Sequence, residues 1–244
     1  MTNLKLKLVH LYPLFLNIYG DIGNIKVFEN RCKWRNIDIE IQQFNTGDKL
    51  EEGTDIFFIG GGQDRQQVEV SEELQKHKNL LTDEYNRDAV FLGICGGYQL
   101  MGEYYQPHDA KRLEGIGILD AYTVAGSTRF IGNVSAEADY IGEINTLVGF
   151  ENHSGLTYLN GETTPMARVL VGNGNNGIDK TEGARSRNAF GTYLHGSFLP
   201  KNPHFADYLI KLALKKRYND DIELEPLDDS IELKAHDSVL NKTY

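Results

Sequence analysis

Residues 89–94, AVFLGI, are apolar without interruption, and the run stops at Cys95, followed at once by Gly96 and Gly97. A short stretch with no polar face fits a strand covered on both sides, as in the middle of a parallel sheet. TDIFFI at 54–59 closes on a similar apolar run, Ile56–Ile59, and is followed by Gly60, Gly61 and Gly62. Strand and helix patterns alternate around these runs. Leu4–His10 reads as a first strand, with Leu4, Leu6 and Leu8 on one face. IKVFENRCKWRN reads as a helix starting near Ile25 with Asn24 as its cap, IDIEIQQF as a strand, and 65–87 as a polar-faced helix. This alternation predicts an α/β fold built on a parallel sheet with helices on both faces.

The second half changes character. FIGNVSAEA, TLVGFE, MARVLVG and NAFGTYLHG are short strand-like runs separated by glycine and asparagine clusters, the pattern of a more antiparallel layer. NGNNGIDKTEGARSRN is the most loop-like segment and is expected to be mobile. PHFADYLIKLALKKRY reads as a terminal helix with Pro203 in its first turn and basic residues in its last. No repeat or Pro/Gly/Ser-rich linker divides the chain. One domain is expected over 1–218, followed by a tail, 219–244, that packs on a partner or frays.

Charge and cysteine content narrow the function. Lys and Arg number 25 against 35 Asp and Glu, a net charge of −10, which argues against a broad nucleic-acid or anionic-membrane surface. The N-terminal MTNLKLKLVHLYP alternates leucine and lysine, unlike a signal peptide, and no apolar run approaches the ~20 residues of a membrane span. A cytoplasmic protein is expected. Two cysteines cannot form a disulfide framework or a four-thiolate zinc site. Cys32, four residues after Phe28 on a helical pattern, reads as core packing.

Cys95 admits two readings: a small buried residue at a strand end, or a nucleophile. A strand-to-helix corner around a nucleophile needs small neighbours, and Gly93, Gly96 and Gly97 supply them. Backbone N–H groups at the helix start would lower the thiol pKa and hold an oxyanion. The Gly60–Gly62 run, at the carboxyl end of another buried strand, is either a tight turn or a second source of such a donor. For a base, His195 at the end of GTYLHG is favoured, with His153 in GFENHSG as competitor. His10 and His77 fall in ordinary strand and helix contexts, whereas His108, His204 and His236 read as surface residues.

The elbow G-x-C-x-G-x-Q, here Gly93, Cys95, Gly97 and Gln99, resembles that of class I glutamine amidotransferases, and GICGGYQLMG resembles the cobyric acid synthase type. The ordered set NIYGDIGN, FFIGGGQDRQQ, CGGYQLMG, LEGIGILD, GFENHSG and GTYLHGSFLPKNP is similar to the GatD family, the amidotransferase subunits of lipid II isoglutaminyl synthase. The resemblance implies a flavodoxin-like α/β fold with a mixed, mostly parallel sheet. It makes Cys95 the nucleophile, His195 its base, Arg129 the ligand of the glutamine substrate, and Gln99 a further substrate contact. Gly96 and Gly61 would supply the oxyanion N–H groups. It implies L-glutamine as substrate, no metal or organic cofactor, and a heterodimer with the Mur-ligase-like ATP-dependent subunit MurT. That partner would amidate the α-carboxyl of D-glutamate in the peptidoglycan stem peptide, reaching lipid II itself.

One departure stands out. Many class I enzymes carry a glutamate two residues after the catalytic histidine, but this chain has Ser197 there. A hydroxyl cannot supply the carboxylate that orients imidazole and stabilises its protonated form. Either the dyad suffices or the third group comes from elsewhere, including from the partner. The chain lacks a Gly-x-x-x-x-Gly-Lys-Ser/Thr phosphate loop, so activation of the acceptor is assigned to another protein. A glutaminase serving a corrinoid synthetase, a cysteine hydrolase on the same fold and a catalytically silent binding subunit remain the alternatives.

Overall fold

The computed structural model describes residues 4–195 and 197–241 and, for Asp64, the backbone alone. In the first part, β1 (Lys5–Leu11), α1 (Ile22–Lys33), β2 (Asp38–Phe44), β3 (Ile56–Ile59), α2 (Asp64–Lys76), α3 (Lys78–Asn86), β4 (Val90–Ile94) and α4 (Gly96–Met101) follow in order. Then come β5 (Tyr104–Gln106), β6 (Leu113–Glu114), β7 (Ala121–Glu137), β8 (Thr146–Leu159), β9 (Ala167–Val171), β10 (Thr181–Glu182), β11 (Ala184–Ser186) and β12 (Ala189–Thr192). A 3-10 turn (Leu199–Lys201), α5 (Pro203–Tyr218) and α6 (Ser230–Leu240) complete the chain.

One sheet has the order β11-β12-β4-β3-β1-β2. Its pairings are parallel except at the β11 edge. The unbroken apolar runs occupy its centre: every residue of β3, β4 and β12 is buried, whereas edge strand β2 alternates. From β1 the chain crosses outward to β2, and from β3 it crosses the opposite way to β4. Right-handed crossovers therefore put α1 on one face and α2 and α3 on the other. Between the neighbours β1 and β3 the winding reverses, and open α/β sheets bind ligands in the crevice beyond the strand ends at such a point. The loops after β1, β3 and β4 all emerge there.

The second sheet runs β10-β9-β7-β5-β6 with β8 also on β7, and its pairings are antiparallel except β5 with β7. The long β7–β8 hairpin loses register between Ala125 and Phe130. Arg129 therefore projects from an unpaired stretch. Among the described residues, no helix is long and apolar enough to cross a membrane.

Several local expectations change. Helix α1 begins at Ile22, and Asn24 is no cap: its buried Oδ1 accepts the Leu199 N–H at 2.8 Å. The helix expected over 65–87 breaks at His77, whose ring packs edge-on against Phe44. The 173–188 segment is a hydrogen-bonded turn structure holding β10 and β11. Asn175 Nδ2 donates to Gly183 O at 2.8 Å, and Asn176 Oδ1 accepts from Ile178 and Asp179 N–H groups. His236 is buried, not a surface residue: Nδ1 donates to Lys201 O and Nε2 accepts from the Thr146 hydroxyl, both at 2.8 Å. His204 is half-buried, with Nε2 donating to Thr146 O. The tail thus carries α6, anchored on its own domain. Arg31, on α1, grips Asp229 just before α6, as well as Asp207 of α5, each at 2.6 Å. Residues 242–244 of the tail lie outside the described residues.

Candidate active site

Cys95 occupies the turn from β4 into α4 with φ 50° and ψ −102°, a conformation L-residues rarely adopt. The turn is held on both sides: Cys95 N–H donates to Thr192 O at 2.8 Å, and Gln99 N–H donates to Cys95 O at 2.9 Å. The glycines are spatially required. A Cβ on Gly93 would stand 2.9 Å from Tyr98 N, and one on Gly97 would drive into the Ile59 carbonyl oxygen. The strain, on a residue that opens into a pocket, is the mark of a nucleophile elbow. Cys32 contrasts with it: fully buried in α1, its thiol is pushed up to about 12 by burial.

The pocket, about 390 Å³, lies between the two sheets. Its walls include Gly62 and Cys95 from the first sheet's loops, Gln99 from α4, and Arg129, Asn152 and His153 from the β7–β8 hairpin. Arg129 Nε donates to Asn152 Oδ1 at 2.6 Å, and Asn152 Nδ2 donates to the Tyr19 hydroxyl at 2.8 Å. This chain holds a guanidinium at the mouth, where it can take a carboxylate through paired hydrogen bonds. Gln99 is buried, with Nε2 donating to the Tyr193 hydroxyl at 3.1 Å and Oε1 without a hydrogen bond. A buried unmatched acceptor in a pocket wall suits a ligand N–H.

Gly61 and Gly62 stand differently toward the elbow. Gly61 N–H is committed to Asp21 Oδ2 at 2.6 Å. The neighbouring Gly62 lines the pocket, and its nitrogen lies 3.1 Å from where a Cβ on Gly96 would stand. Gly62 thus stands beside the elbow, whereas the Gly61 N–H is already bonded to Asp21.

Both candidate histidines are close to this region, in different settings. His195 follows β12 and is fixed by a backbone bridge to Phe150 of β8. Its ring sits behind Gly61, with Tyr19 edge-on at 5.0 Å, and does not form the pocket wall. Neither ring nitrogen has a hydrogen-bond partner among the described residues, and burial holds the imidazole neutral, its pKa down to about 3. Ser197 is turned away, its hydroxyl donating to Gly20 O at 2.7 Å. His153 does line the pocket, but it is stacked flat on Tyr193 at 3.6 Å. Its Nδ1 donates to Gly155 O at 2.8 Å, and its Nε2 faces Glu151 Oε2 at 3.9 Å. Sequence reasoning overlooked Asp21, Tyr19 and Asn152, and it named Gly62 only as part of the Gly60–Gly62 run. The motif NIYGDIGN contains Tyr19 and Asp21 and GFENHSG contains Asn152, but their pairing is long-range.

A thiol on a strained elbow, backbone nitrogens beside it and an arginine across the pocket mark this crevice as the candidate active site. The CobB/CobQ-like glutamine amidotransferase domain model matches residues 7–203, and the chain belongs to that family. It is a glutamine-hydrolysing amidotransferase subunit. Its relatives include the lipid II isoglutaminyl synthase (glutamine-hydrolysing) subunit GatD of Staphylococcus aureus, 40% identical over 98% of this chain and 96% of that protein. The subunit of the same name from Streptococcus pneumoniae is 37% identical over 92% of this chain and 86% of its own length. A glutamine amidotransferase structure from Thermotoga maritima shares the fold, with TM-score 0.56 and 17% identity over 96% of this chain and 93% of that one.

Proposed function

We propose that this chain is the glutaminase subunit of a cytoplasmic lipid II isoglutaminyl synthase, paired as a heterodimer with a Mur-ligase-like subunit of the MurT kind. The observation that carries the reading is the strained Cys95 elbow opening onto the Arg129 pocket, in a chain that aligns almost end to end with GatD subunits. Arg129 pairs with the α-carboxylate of glutamine, and Gln99 accepts from a substrate N–H. The Cys95 thiolate adds to the side-chain amide carbon, while Gly96 and Gly62 N–H groups hold the oxyanion. His195 takes the Cys95 thiol proton as the sulfur adds and passes it to the leaving nitrogen, so ammonia departs; it then takes a proton from the water that cleaves the thioester and returns it to the sulfur, releasing glutamate and restoring the thiol. The partner, using ATP, activates the D-glutamate α-carboxyl of the stem peptide and receives the ammonia.

His195 is taken as the base on the match of its GTYLHG segment to the family motif; His153 has Nδ1 bound to Gly155 O and Nε2 without a hydrogen bond, 3.9 Å from Glu151 Oε2. His195 has both nitrogens available, one for the thiol and one for an orienting group. That group is a carboxylate of the docked partner, which would lift the imidazole pKa and couple hydrolysis to assembly.

Reconstitution tests the reading. The chain and the Mur-ligase-like protein of its own host are combined with lipid II, ATP and either glutamine or ammonium salt. The wild-type complex should amidate lipid II from both nitrogen sources and Cys95→Ala only from ammonium. No amidation by the wild-type complex, or glutamine-driven amidation by Cys95→Ala, would sink it.

A further inference from the structure

We propose that Asp21 is a positioning residue for glutamine hydrolysis: its carboxylate fixes the Gly60–Gly62 loop, and so aims the Gly62 N–H at the elbow and seats His195 beside it. The proposal rests on hydrolysis at Cys95.

Asp21 stands at the N-terminus of α1, where an aspartate ordinarily turns its side chain onto the first helical N–H groups. Here it makes no such bond. The carboxylate reaches instead across the switch point between β1 and β3 and accepts the Gly61 N–H at 2.6 Å. The residue is fully buried, and Oδ1 has no hydrogen-bond partner among the described residues. Burying a carboxyl group with one matched oxygen is costly, and burial pushes its pKa up to about 7. Helix α1 gains no cap from this, so the cost is not explained by helix stability.

The loop geometry supplies an explanation. Gly61 is held at both of its polar groups: its N–H by Asp21, and its C=O by the Ile18 N–H at 3.2 Å. In a trans peptide the C=O of one residue and the N–H of the next point in opposite directions. Tying the Gly61 C=O toward Ile18 therefore turns the Gly62 N–H the other way, toward Gly96, from whose Cβ position it lies 3.1 Å. On the far side, a Cβ at Gly61 would stand 2.9 Å from His195 Cε1 and 3.4 Å from Asp21 Oδ2. The glycine is thus a thin spacer between carboxylate and imidazole, and its placement sets where the ring can sit. The Gly60 carbonyl, on the same peptide as the Gly61 N–H, accepts the Gly97 N–H at 3.1 Å. Asp21 is the only side chain among the described residues that hydrogen-bonds the Gly61 N–H, so without it that peptide is held from its carbonyl side alone.

Glutaminase kinetics on the partner-bound full chain test this. Asp21→Ala should lower kcat about 10- to 100-fold, part of what removing an oxyanion donor costs, with the glutamine KM changed less than about threefold. Asp21→Asn, whose amide oxygen can accept the same N–H, should keep at least about a third of wild-type kcat. Should Asp21→Ala not fold, Asp21→Leu fills the site without an acceptor and should show the same loss. Wild-type kcat in a folded Asp21→Ala or Asp21→Leu, or an equal loss in Asp21→Asn, overturns the proposal. Absence of hydrolysis in the wild type, or its survival in Cys95→Ala, would instead overturn the glutaminase reading beneath it.

Discussion

Phe150 and His195 exchange two backbone hydrogen bonds, His195 N–H to Phe150 O at 2.9 Å and Phe150 N–H to His195 O at 3.3 Å. Phe150 belongs to the second sheet, whereas His195 follows the strand beside the nucleophile. Because β12 is the parallel neighbour of β4, with Thr192 opposite Ile94, the histidine and Cys95 leave adjacent strands at the same end. The bridge then locks the histidine to the hairpin that carries Arg129, so Cys95, His195 and Arg129 share one frame.

The two thiols should differ sharply. A glutamine-analogue electrophile should label Cys95 and leave Cys32, whose thiol burial holds near 12, untouched. Cys95→Ala should abolish turnover and Cys32→Ala retain it. Mass mapping of the adduct decides, and labelling at Cys32 refutes the assignment.

The elbow strain should be measurable. Since φ 50° at Cys95 suits glycine, Cys95→Gly should be more stable than Cys95→Ala by about 1 kcal/mol in denaturant unfolding, though both are inactive. A less stable glycine variant would mean the elbow stores no strain.

His195→Ala should cost about 10²–10⁴-fold in glutaminase rate, the usual worth of a positioned base. His153→Ala should leave most of kcat, since its Nδ1 is bound to Gly155 O and its ring is stacked flat on Tyr193. The opposite pattern would transfer the role to His153.

Arg129→Ala should raise the glutamine KM with kcat little changed, as expected for loss of a uniform binding contact. Asn152→Ala, which frees the guanidinium from its 2.6 Å tether, should do the same more weakly. A kcat loss with unchanged KM would place Arg129 in the chemistry instead.

Glu182, buried beneath Thr192 and Tyr193, has its carboxyl pKa raised from 4.5 to about 8 by burial. The folded state therefore favours its protonated form. Its contribution is fully present below about pH 4.5 and is lost as pH rises toward 8. Melting temperatures of Glu182→Gln and wild type, compared between pH 5 and 8, should shift in favour of the variant as pH rises. The histidine titrations common to both proteins cancel in that difference. A gap independent of pH would show that Glu182 is ionised throughout.

Much of this protein is set by local sequence. The unbroken apolar runs ending in glycines specify β3 and β4, because only a doubly covered strand tolerates such a pattern. Gly93, Gly96 and Gly97 around Cys95 specify the elbow, because a side chain at Gly93 or Gly97 would collide with backbone. The resemblance of the motif order then points to glutamine. What sequence left open depended on contacts between distant segments. The break at His77, the anchoring of α6 and the ordered 173–188 turn arise from burial and side-chain hydrogen bonds that no local periodicity records. Whether Gly61 or Gly62 offers its N–H is decided by a carboxylate forty residues earlier. How many ring nitrogens each histidine leaves unbonded is decided by distant backbone: Gly155 O takes Nδ1 of His153, and neither nitrogen of His195 has a hydrogen-bond partner among the described residues. Hydrogen-bond directions in the crevice are set by the crossing of loops from three strands, and only the folded chain brings those loops together.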